Sequence, residues 1–467
     1  MPQYSNPDLV TVKPDTMRLT PFSTCPPALA HQIIRHSWSQ KWDPAVLSAC
    51  TASTQMAAHI MCLTAAGGLP LFTRRKGDGE ALPFSVVASL NGVHMFGKSQ
   101  NVILKSTATQ DMTTVWKNVE DSVTLIAIAS GASESLLNRL LKSVFNAMVL
   151  TVGINELRSP RNADRLKREL RVCYPLLDRL LECLDGNDRT TNRTDLLGLV
   201  EVIMCPENHL LQSCLEAYAE CLDSLYGCVM VHGRVAVATE SWWCLDAEEK
   251  KLLALLVDHD TTTTARDIPV FLPCKSPAVP FRLVTVSLVG HVEVSVLCGP
   301  SPPLSEVERV ATQYWRGTTD ILRSAEQCYP RNFPPSIQLD TGVMGLLLID
   351  HECGKFMCSR NQHPDSAGHE TRSLNSAHRL DVLRTFYHQV ATPFFSHNDE
   401  ANSSEKSPVS SQALETYWCS EYHKCYALRN GGILLCMLYA SAVPIQTMRL
   451  ITGRTLKFLT SDKQLCW

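Results

Sequence analysis

One stretch of the sequence has the residue types and spacing of a phosphate-binding loop. Residues 92–99 read GVHMFGKS and fit the pattern G-x-x-x-x-G-K-[ST]. In such a loop, backbone N–H groups surround a nucleotide phosphate and the lysine reaches its oxygens. Far downstream, Asp350 ends the apolar run GLLLID and could hold the magnesium ion. The pattern predicts an ATPase or GTPase, provided that a strand precedes the loop and a helix follows it.

The neighbouring residues do not supply that framework. The string after Ser99, QNVILKSTATQDMTTVW, alternates β-branched residues and predicts a strand. The loop therefore lacks the following helix whose positive end would face the phosphate. The string before it predicts a helix over residues 83–97, with Pro83 in its first turn and Gly97 as the terminating glycine. We expect GVHMFGKS to end a helix, and a nucleoside triphosphatase remains the alternative.

A second group of residues has the side chains that bind zinc. Histidine and cysteine residues cluster near the third glycine turn, at His351, Cys353, Cys358, His363 and His369. Their spacing, C-x4-C-x4-H-x5-H, matches no common zinc site. The interpretation that we favour is a histidine-bearing surface loop, and we predict no metal site and no cofactor.

A third group is a run of positive charges on a predicted helix. It consists of Arg158, Arg161, Arg165, Lys167, Arg168 and Arg171. A charge run of this kind usually forms a solvated face. The alternative is attraction to anionic lipid headgroups or to an acidic partner surface. The leucine-rich side of the same segment predicts core packing, through Leu166, Leu170, Cys173, Leu177, Leu180 and Leu184.

Composition excludes several classes of protein. The 43 basic and 46 acidic residues are balanced, so the chain lacks the charge footprint of a nucleic-acid-binding protein. The 19 cysteines form no C-x-x-C pair and the N-terminus is polar, which predicts a cytoplasmic protein with reduced thiols. The longest apolar run, residues 432–445, is too short for a transmembrane segment. Neither G-x-S-x-G nor H-E-x-x-H occurs, so no hydrolytic enzyme is predicted.

A block of elements recurs three times along the chain. Each block opens with two apolar runs joined by a glycine turn, at Gly67-Gly68, Gly233 and Gly354. A helix, more strands and a longer closing helix follow each turn. The second of the early helices begins with Asp246 and Glu249 at capping-box spacing. The order β-β-α-β-β-β-α predicts an α+β fold of three domains, each an antiparallel sheet flanked by helices.

The recurring blocks and the helices that join them set the predicted domain boundaries. They give a leader at 1–55, a first domain with connecting helices at 56–222, a second domain at 223–335 and a third at 336–467. We expect the leader to be disordered or a non-native start, because Met56 begins a string that looks like a natural N-terminus. The connecting helices are expected at 160–184 and 194–222, and a disordered insertion is expected near 396–411.

Several uninterrupted strings resemble the Fuzzy family of planar cell polarity effectors. They include LPFSVVASLNGVHMFG, MTTVWKNVEDSVTLIAIAS, RNADRLKREL, VAVATESWW, TARDIPVFLP and LCGPSPPLS. The resemblance runs from about residue 58 to the C-terminus and is densest in the first two blocks. It implies three longin domains, the partner protein Inturned, and a larger assembly with the WD-repeat protein Wdpcp. It further implies action in the cytoplasm and cytoskeleton, at the basal body of the cilium, in ciliogenesis and protein trafficking.

The resemblance also implies a mechanism. Paired proteins with three longin domains act as guanine nucleotide exchange factors for Rab-type GTPases, and this needs no catalytic nucleophile. A factor that binds the nucleotide-free GTPase more tightly than the loaded form shifts the equilibrium by that difference alone. The alternative is a scaffold of the same complex without exchange activity. Because the helix at 83–97 carries more apolar residues than one stripe needs, we predict a partner interface at Val93, Met95 and Phe96.

Overall fold

The computed structural model describes most of the chain in two compact units. The described residues are 11–12, 17–20, 57–76, 81–119, 121–158, 162–184, 198–258, 264–360, 376–387, 391, 415–420, 423–461 and 467. The units are Met1–Asp185 and Gly186–Trp467. The first unit holds the predicted first domain up to residue 185, and the second unit holds residues 186–222 together with the other two predicted domains.

The first unit contains a seven-stranded antiparallel sheet in the order β1-β2-β5-β6-β7-β3-β4. The strands are β1 (Thr11–Val12), β2 (Met17–Thr20), β3 (Ala58–Thr64), β4 (Pro70–Lys76), β5 (Ile103–Ala108), β6 (Met112–Val119) and β7 (Val123–Ser130). The helices are α1 (Phe84–Ser99), α2 (Glu134–Val152), α3 (Ile154–Arg158), α4 (Ala163–Glu169) and α5 (Tyr174–Glu182), with a 3₁₀ turn at Leu170–Cys173. The predicted sequence of elements is confirmed for this block.

The two faces of this sheet are covered by different helices. Helix α1 packs on the face formed by residues such as Met61, Ile126 and Ile128. The residues that alternate with them, such as Leu125 and Ala127, are buried towards the other face, where α2 packs on β6 and β7. A helix therefore lies on each face of the sheet.

The second unit begins with a five-stranded antiparallel sheet in the order β10-β9-β13-β12-β11. Its strands are β9 (Gly227–Val231), β10 (Arg234–Ala238), β11 (Ala265–Leu272), β12 (Ser276–Val289) and β13 (Val292–Cys298). Its helices are α6 (Asn208–Cys221), α7 (Glu240–Trp243), α8 (Ala247–Val257), α9 (Leu304–Trp315) and α10 (Thr319–Glu326). His232 and Gly233 both have positive φ, 48° and 70°, which suits the tight β9–β10 hairpin.

The third domain contains a six-stranded sheet in the order β16-β17-β18-β14-β15-β8. Its strands are β8 (Val200–Glu201), β14 (Val343–Asp350), β15 (Lys355–Arg360), β16 (Glu415–Cys419), β17 (His423–Asn430) and β18 (Ile433–Ala440). Its helices are α11 (Ser376–Phe386) and α12 (Ile445–Ser461). The α+β prediction of three antiparallel longin-type sheets holds for all three blocks, with β8 as one added parallel strand.

The segment before α6 joins the second and third domains through backbone hydrogen bonds. The N–H groups of Val200 and Val202 donate to carbonyl oxygens in the β14–β15 hairpin, at 3.0 and 2.8 Å, and that of Ile203 donates to β10 at 3.0 Å. The predicted helix at 194–222 is therefore wrong in its first part, since the chain is extended here and the helix begins only at Asn208. The hydrogen bonds to two sheet edges outweigh the local preference of this segment for a helix.

Other predicted boundaries are corrected by local geometry. Helix α1 continues through Gly97 to Ser99, and Asn101, with φ 57°, follows it in the left-handed conformation. The string TYWCSEYHKCYAL at 416–428 predicts one weak strand, but the structure has two, β16 and β17. The hydroxyl of Ser420, between them, accepts a hydrogen bond from the backbone N–H of His423 at 3.1 Å. The connecting helix at 160–184 is interrupted by a 3₁₀ turn, as is the closing helix of the second block at Arg316–Thr318.

Two predicted regions fall largely outside the described residues. The insertion near 396–411 lies wholly outside them. Of the leader at 1–55, β1 and β2 are described, and β2 pairs antiparallel with β5. The assignment of the leader stays a prediction. Among the helices of the described ranges, none combines the length and the apolar content needed to cross a bilayer.

Candidate partner-binding surface

Helix α1 is fixed to its sheet by one apolar side. Val87 and Leu90 are buried in a core cluster with Met61 and Ile126. The indole N–H of Trp116 donates to the carbonyl oxygen of Leu90 at 3.3 Å, so the sheet also binds the helix backbone. The inner side of α1 thus belongs to the domain core.

His94 belongs to this inner side and not to a reactive site. Its side chain is buried, and its Nδ1 has no hydrogen-bond partner within the described part of the chain. Burial lowers the pKa of His94, and the nearby charge of Lys98 lowers it further. The imidazole is therefore neutral near pH 7 and packs as an apolar group.

The opposite side of α1 is a strip of small residues. Ser85, Ala88 and Gly92 are exposed and recur at helical spacing. A Cβ atom built on Gly92 would meet nothing within 4 Å. Small residues in this arrangement let another backbone approach closely.

Larger apolar side chains flank this strip. Met95 and Phe96 are half-buried and lie on either side of it, about 100° apart around the helix. Phe84, at the first position of α1, has 73% of its surface exposed. We define the α1 outer surface as Phe84, Ala88, Gly92, Met95 and Phe96. It combines apolar side chains with a shallow strip, which suits a protein partner.

Val93 has a different environment from the other two predicted interface residues. It is half-buried and packs against the core cluster beside Val86. Met95 and Phe96 are absent from that cluster. The interface assignment of all three residues stays a prediction, and the structure separates Val93, which supports the core, from Met95 and Phe96.

Two exposed apolar residues near α1 were not predicted from the sequence. Leu69 lies in the β3–β4 turn, beside Gly68, where an added Cβ would come within 1.9 Å of the Asn91 side chain of α1. Ile103 begins β5 directly after the helix. Single apolar residues in turns carry no periodic signal, so only the fold reveals that they lie next to the helix.

The phosphate-loop alternative is wrong. All eight residues of GVHMFGKS are helical, so their N–H groups do not form a loop around an anion. Lys98 and Ser99 are exposed, and the Ser99 hydroxyl donates to the Phe96 carbonyl at 2.8 Å. The Asp350 carboxylate accepts the N–H groups of two following residues, at 3.0 and 2.9 Å, and so stabilises its own turn.

The histidine and cysteine cluster is only partly described. His351, Cys353 and Cys358 lie around the β14–β15 hairpin, and His363 and His369 fall outside the described residues. In the part of the chain that the structure describes, no group of three or more His, Cys, Asp or Glu side chains could hold a metal ion. Burial raises the pKa of the Cys353 thiol, and a hydrogen bond with Asp350 raises it further, so this thiol is a poor nucleophile at neutral pH.

The basic run forms a solvated surface. Its described members are exposed, and Arg165 pairs with Glu169 at 2.7 Å along the helix, whereas Arg161 lies outside the described residues. The leucines and Cys173 of the same segment are buried, which confirms their predicted core role. Binding of this surface to anionic lipid headgroups stays a prediction.

A cleft of about 800 Å³ in the second unit lies between α7–α8 and the β14–β15 hairpin. Lys250 lines it and is only 2% exposed, and its ammonium donates to the carbonyl oxygens of Trp243 and Cys353, at 2.8 and 2.5 Å. The Lys355 ammonium lies 5.0 and 4.8 Å from the ring centres of Trp243 and Trp467. Both lysines are held by the surrounding chain, so they connect two domains and do not form a reactive pair.

Comparison with known proteins identifies each of the three domains. Family models match residues 58–180, 222–316 and 342–463, and describe them as the first, second and third longin domain of FUZ, MON1 and HPS1. A protein named "Protein fuzzy homolog" from Xenopus tropicalis is 39% identical over 414 residues, which cover 86% of this chain and 98% of that protein. The proteins of the same name from Homo sapiens and Mus musculus are 38% and 37% identical, each over 86% of this chain and 97% of the relative.

Proposed function

Because the chain belongs to the Fuzzy family of longin-domain proteins, we propose that it is a planar cell polarity effector that acts by binding partners and not by hydrolysis. In this proposal it forms a heterodimer with Inturned, and the heterodimer promotes guanine nucleotide exchange on a Rab-type GTPase. The observation that carries the proposal is the α1 outer surface, an apolar helix side left exposed on the first longin domain. Apolar side chains grouped on an exposed helix side support binding to another protein.

Exchange by this protein requires differential binding alone. The heterodimer binds the nucleotide-free GTPase more tightly than the loaded form, and this difference in affinity favours release. Two described residues that could carry other chemistry have structural roles: Asp350 stabilises a turn and Lys250 donates to two carbonyl groups. The exchange surface is then composite, with activity in the complex and little in the isolated chain.

The same family membership supports a proposal about the larger setting. We propose that the heterodimer assembles with Wdpcp, acts at the ciliary basal body and cytoskeleton, and serves ciliogenesis and vesicle traffic. The exposed cations of α4 support an additional electrostatic attraction to anionic lipid headgroups there.

The proposal is tested by release of a fluorescent nucleotide from a panel of Rab-type GTPases. Four samples are compared: GTPase alone, with this chain, with Inturned, and with both. We expect accelerated release from at least one GTPase in the sample with both proteins. If the complex forms but does not accelerate nucleotide release, exchange activity is excluded and the scaffold function is supported. Failure of the two chains to bind would overturn the proposal itself.

A further inference from the structure

The third sheet ends in an exposed strand, β16. Among the strands that the structure describes, its one neighbour is β17, and Tyr417 and Trp418 on it are 53% and 41% exposed. Tyr417 lies opposite Tyr426 and Trp418 lies opposite Cys425, so the two aromatic side chains point to opposite faces of the sheet. The strand therefore presents apolar surface on both faces at its edge.

The backbone of β16 also presents polar groups. The N–H of Ser420 donates to the carbonyl of His423 at 2.9 Å, which makes these two residues a hydrogen-bonded pair. Because such pairs alternate along an antiparallel ladder, the backbone N–H and C=O groups of Glu415, Tyr417 and Cys419 face away from β17. A strand placed alongside β16 would meet this row of donors and acceptors.

The corresponding edges of the other two sheets are protected. Strand β5 follows the first helix of its domain, as β16 does, and it is covered by β2 in antiparallel pairing. Strand β11 has the same place in the second domain and carries Pro269 near its centre, with Asp267 two residues before it. Proline and charge are the usual means by which proteins prevent pairing at a sheet edge. β16 contains neither proline nor lysine, and its one charged residue, Glu415, stands at its first position and pairs with Arg449 at 3.0 Å.

The opposite edges of the second and third sheets are also covered by the chain. Strands β10 and β15 both receive hydrogen bonds from the segment at 200–203. In the first domain, β2 pairs with β5, so this fold can accept an added strand at the edge that β16 forms in the third domain. Of these edges in the described part of the chain, β16 is the one whose outward backbone groups meet no described strand and whose aromatic side chains are exposed.

We propose that β16 is a docking edge for an extended, strand-forming segment of a partner chain. The partner strand would hydrogen-bond to the outward groups of Tyr417 and Cys419 and place apolar side chains against Tyr417 and Trp418. The inference rests on the proposed function, since the partner used to test it is Inturned. It adds a second contact, on the third domain, to the α1 outer surface on the first.

Paired substitutions separate the backbone from the side chain. Tyr417→Pro and Cys419→Pro each remove one outward N–H and no bond to β17, whereas Tyr417→Thr and Cys419→Thr remove the same side chains and keep the N–H. Affinity of the full chain for purified Inturned is measured by isothermal titration. We expect each proline variant to bind about tenfold more weakly than its threonine control, because a partner carbonyl is left unpaired.

Further measurements make each outcome decisive. Equal affinity of all four variants and the unaltered chain would overturn the docking edge while the proposed function stands. Equal losses in the threonine and proline variants would show side-chain docking and overturn strand addition. A loss on Leu450→Thr, on the exposed side of α12, without a loss in the proline variants would place the contact on that helix. If the unaltered chain does not bind Inturned, both the proposed function and the docking edge are overturned.

Two controls cover folding and self-association. If a proline variant melts at a lower temperature, amide hydrogen exchange on the unaltered chain decides: slower exchange at Tyr417 and Cys419 in the complex supports the docking edge, and unchanged exchange overturns it. Light scattering tests a second copy of the chain as the occupant. A dimer of the unaltered chain that Tyr417→Pro dissociates would overturn the assignment to a partner.

Discussion

Helices α1 and α8 hold the same place in the first and second longin domains but have opposite environments. On α1, the buried residues are Val87, Leu90 and His94. On α8, every residue from Glu248 to Leu255 is buried, charged residues included. The difference lies in what surrounds each helix, because both helices follow the hairpin that opens their domain.

The outer side of α8 is covered by the same chain. Glu249 accepts hydrogen bonds from the N–H groups of Cys274 and Lys275, at 2.7 and 3.0 Å. The turn at Gly354 approaches so closely that an added Cβ would lie 2.5 Å from Ala247. The α1 outer surface has exposed side chains in place of such contacts. The outer side of α8 is thus covered by residues of the same chain, and we propose that the outer side of α1 is covered by a partner.

The largest expected effect is the loss of the carboxylate at the closed helix. Glu249 is 1% exposed, and Glu249→Ala leaves the N–H groups of Asp246, Cys274 and Lys275 without their acceptor. We expect unfolding in urea to show a loss of about 3 kcal/mol, since three part-buried hydrogen bonds are lost and a typical hydrogen bond contributes roughly 1 kcal/mol. Glu249→Gln keeps one acceptor oxygen and should lose about half as much. A loss below about 1 kcal/mol for Glu249→Ala would show that α8 is held by apolar packing alone.

An intermediate effect distinguishes the two sides of α1. Val93→Asp places a charge against the core cluster and should cost about 2 kcal/mol or more. Phe96→Asp, on the outer surface, should cost less than about 1 kcal/mol in the isolated chain. Thermal melting of both variants checks this. Similar losses would mean that Phe96 also belongs to the core and that the α1 outer surface is smaller than described.

A smaller effect is expected at the N-terminus. Deleting residues 1–55 removes β1 and β2, which contribute two and four residues at the edge of the first sheet. We expect a stability loss below about 1 kcal/mol and unchanged binding to Inturned, because short terminal segments add little to a formed core. A large drop in melting temperature would make the leader a structural part of the first domain.

No effect is expected from the lysine of GVHMFGKS. Lys98 is exposed on α1. We therefore expect no detectable nucleotide binding by the unaltered chain or by Lys98→Ala. Isothermal titration with Mg-ATP and Mg-GTP checks both the unaltered chain and the variant. Micromolar binding that the substitution abolishes would contradict the helical assignment of this segment.

Much of the fold could be predicted because its signals are local. The glycine turns, the alternation of β-branched residues and the Asp246–Glu249 capping box each depend on neighbouring residues, and the structure contains all of them. The extended segment at 200–203 could not be predicted, because its conformation depends on two sheet edges far away in sequence. The split between β16 and β17 was missed since neither half has a clean apolar alternation.

The candidate site was predictable only in part. An excess of apolar residues on α1 indicated an outer surface, and Met95 and Phe96 lie on it. The inward position of Val93 could not be known without the exact direction of the helix over its sheet. The docking edge at β16 gave no signal in the sequence, because strand order decides which strand lies at an edge.

The affinity of Phe96→Asp for Inturned tests the central claim most directly. The variant and the unaltered full chain are titrated with purified Inturned, after circular dichroism and melting have shown that both are folded. A charge placed on the α1 outer surface should weaken binding by about 30-fold or more, as expected when an apolar interface anchor is lost. Nucleotide release from the GTPase should fall in parallel. Binding equal to that of the unaltered chain would contradict the claim that a partner covers this side of α1.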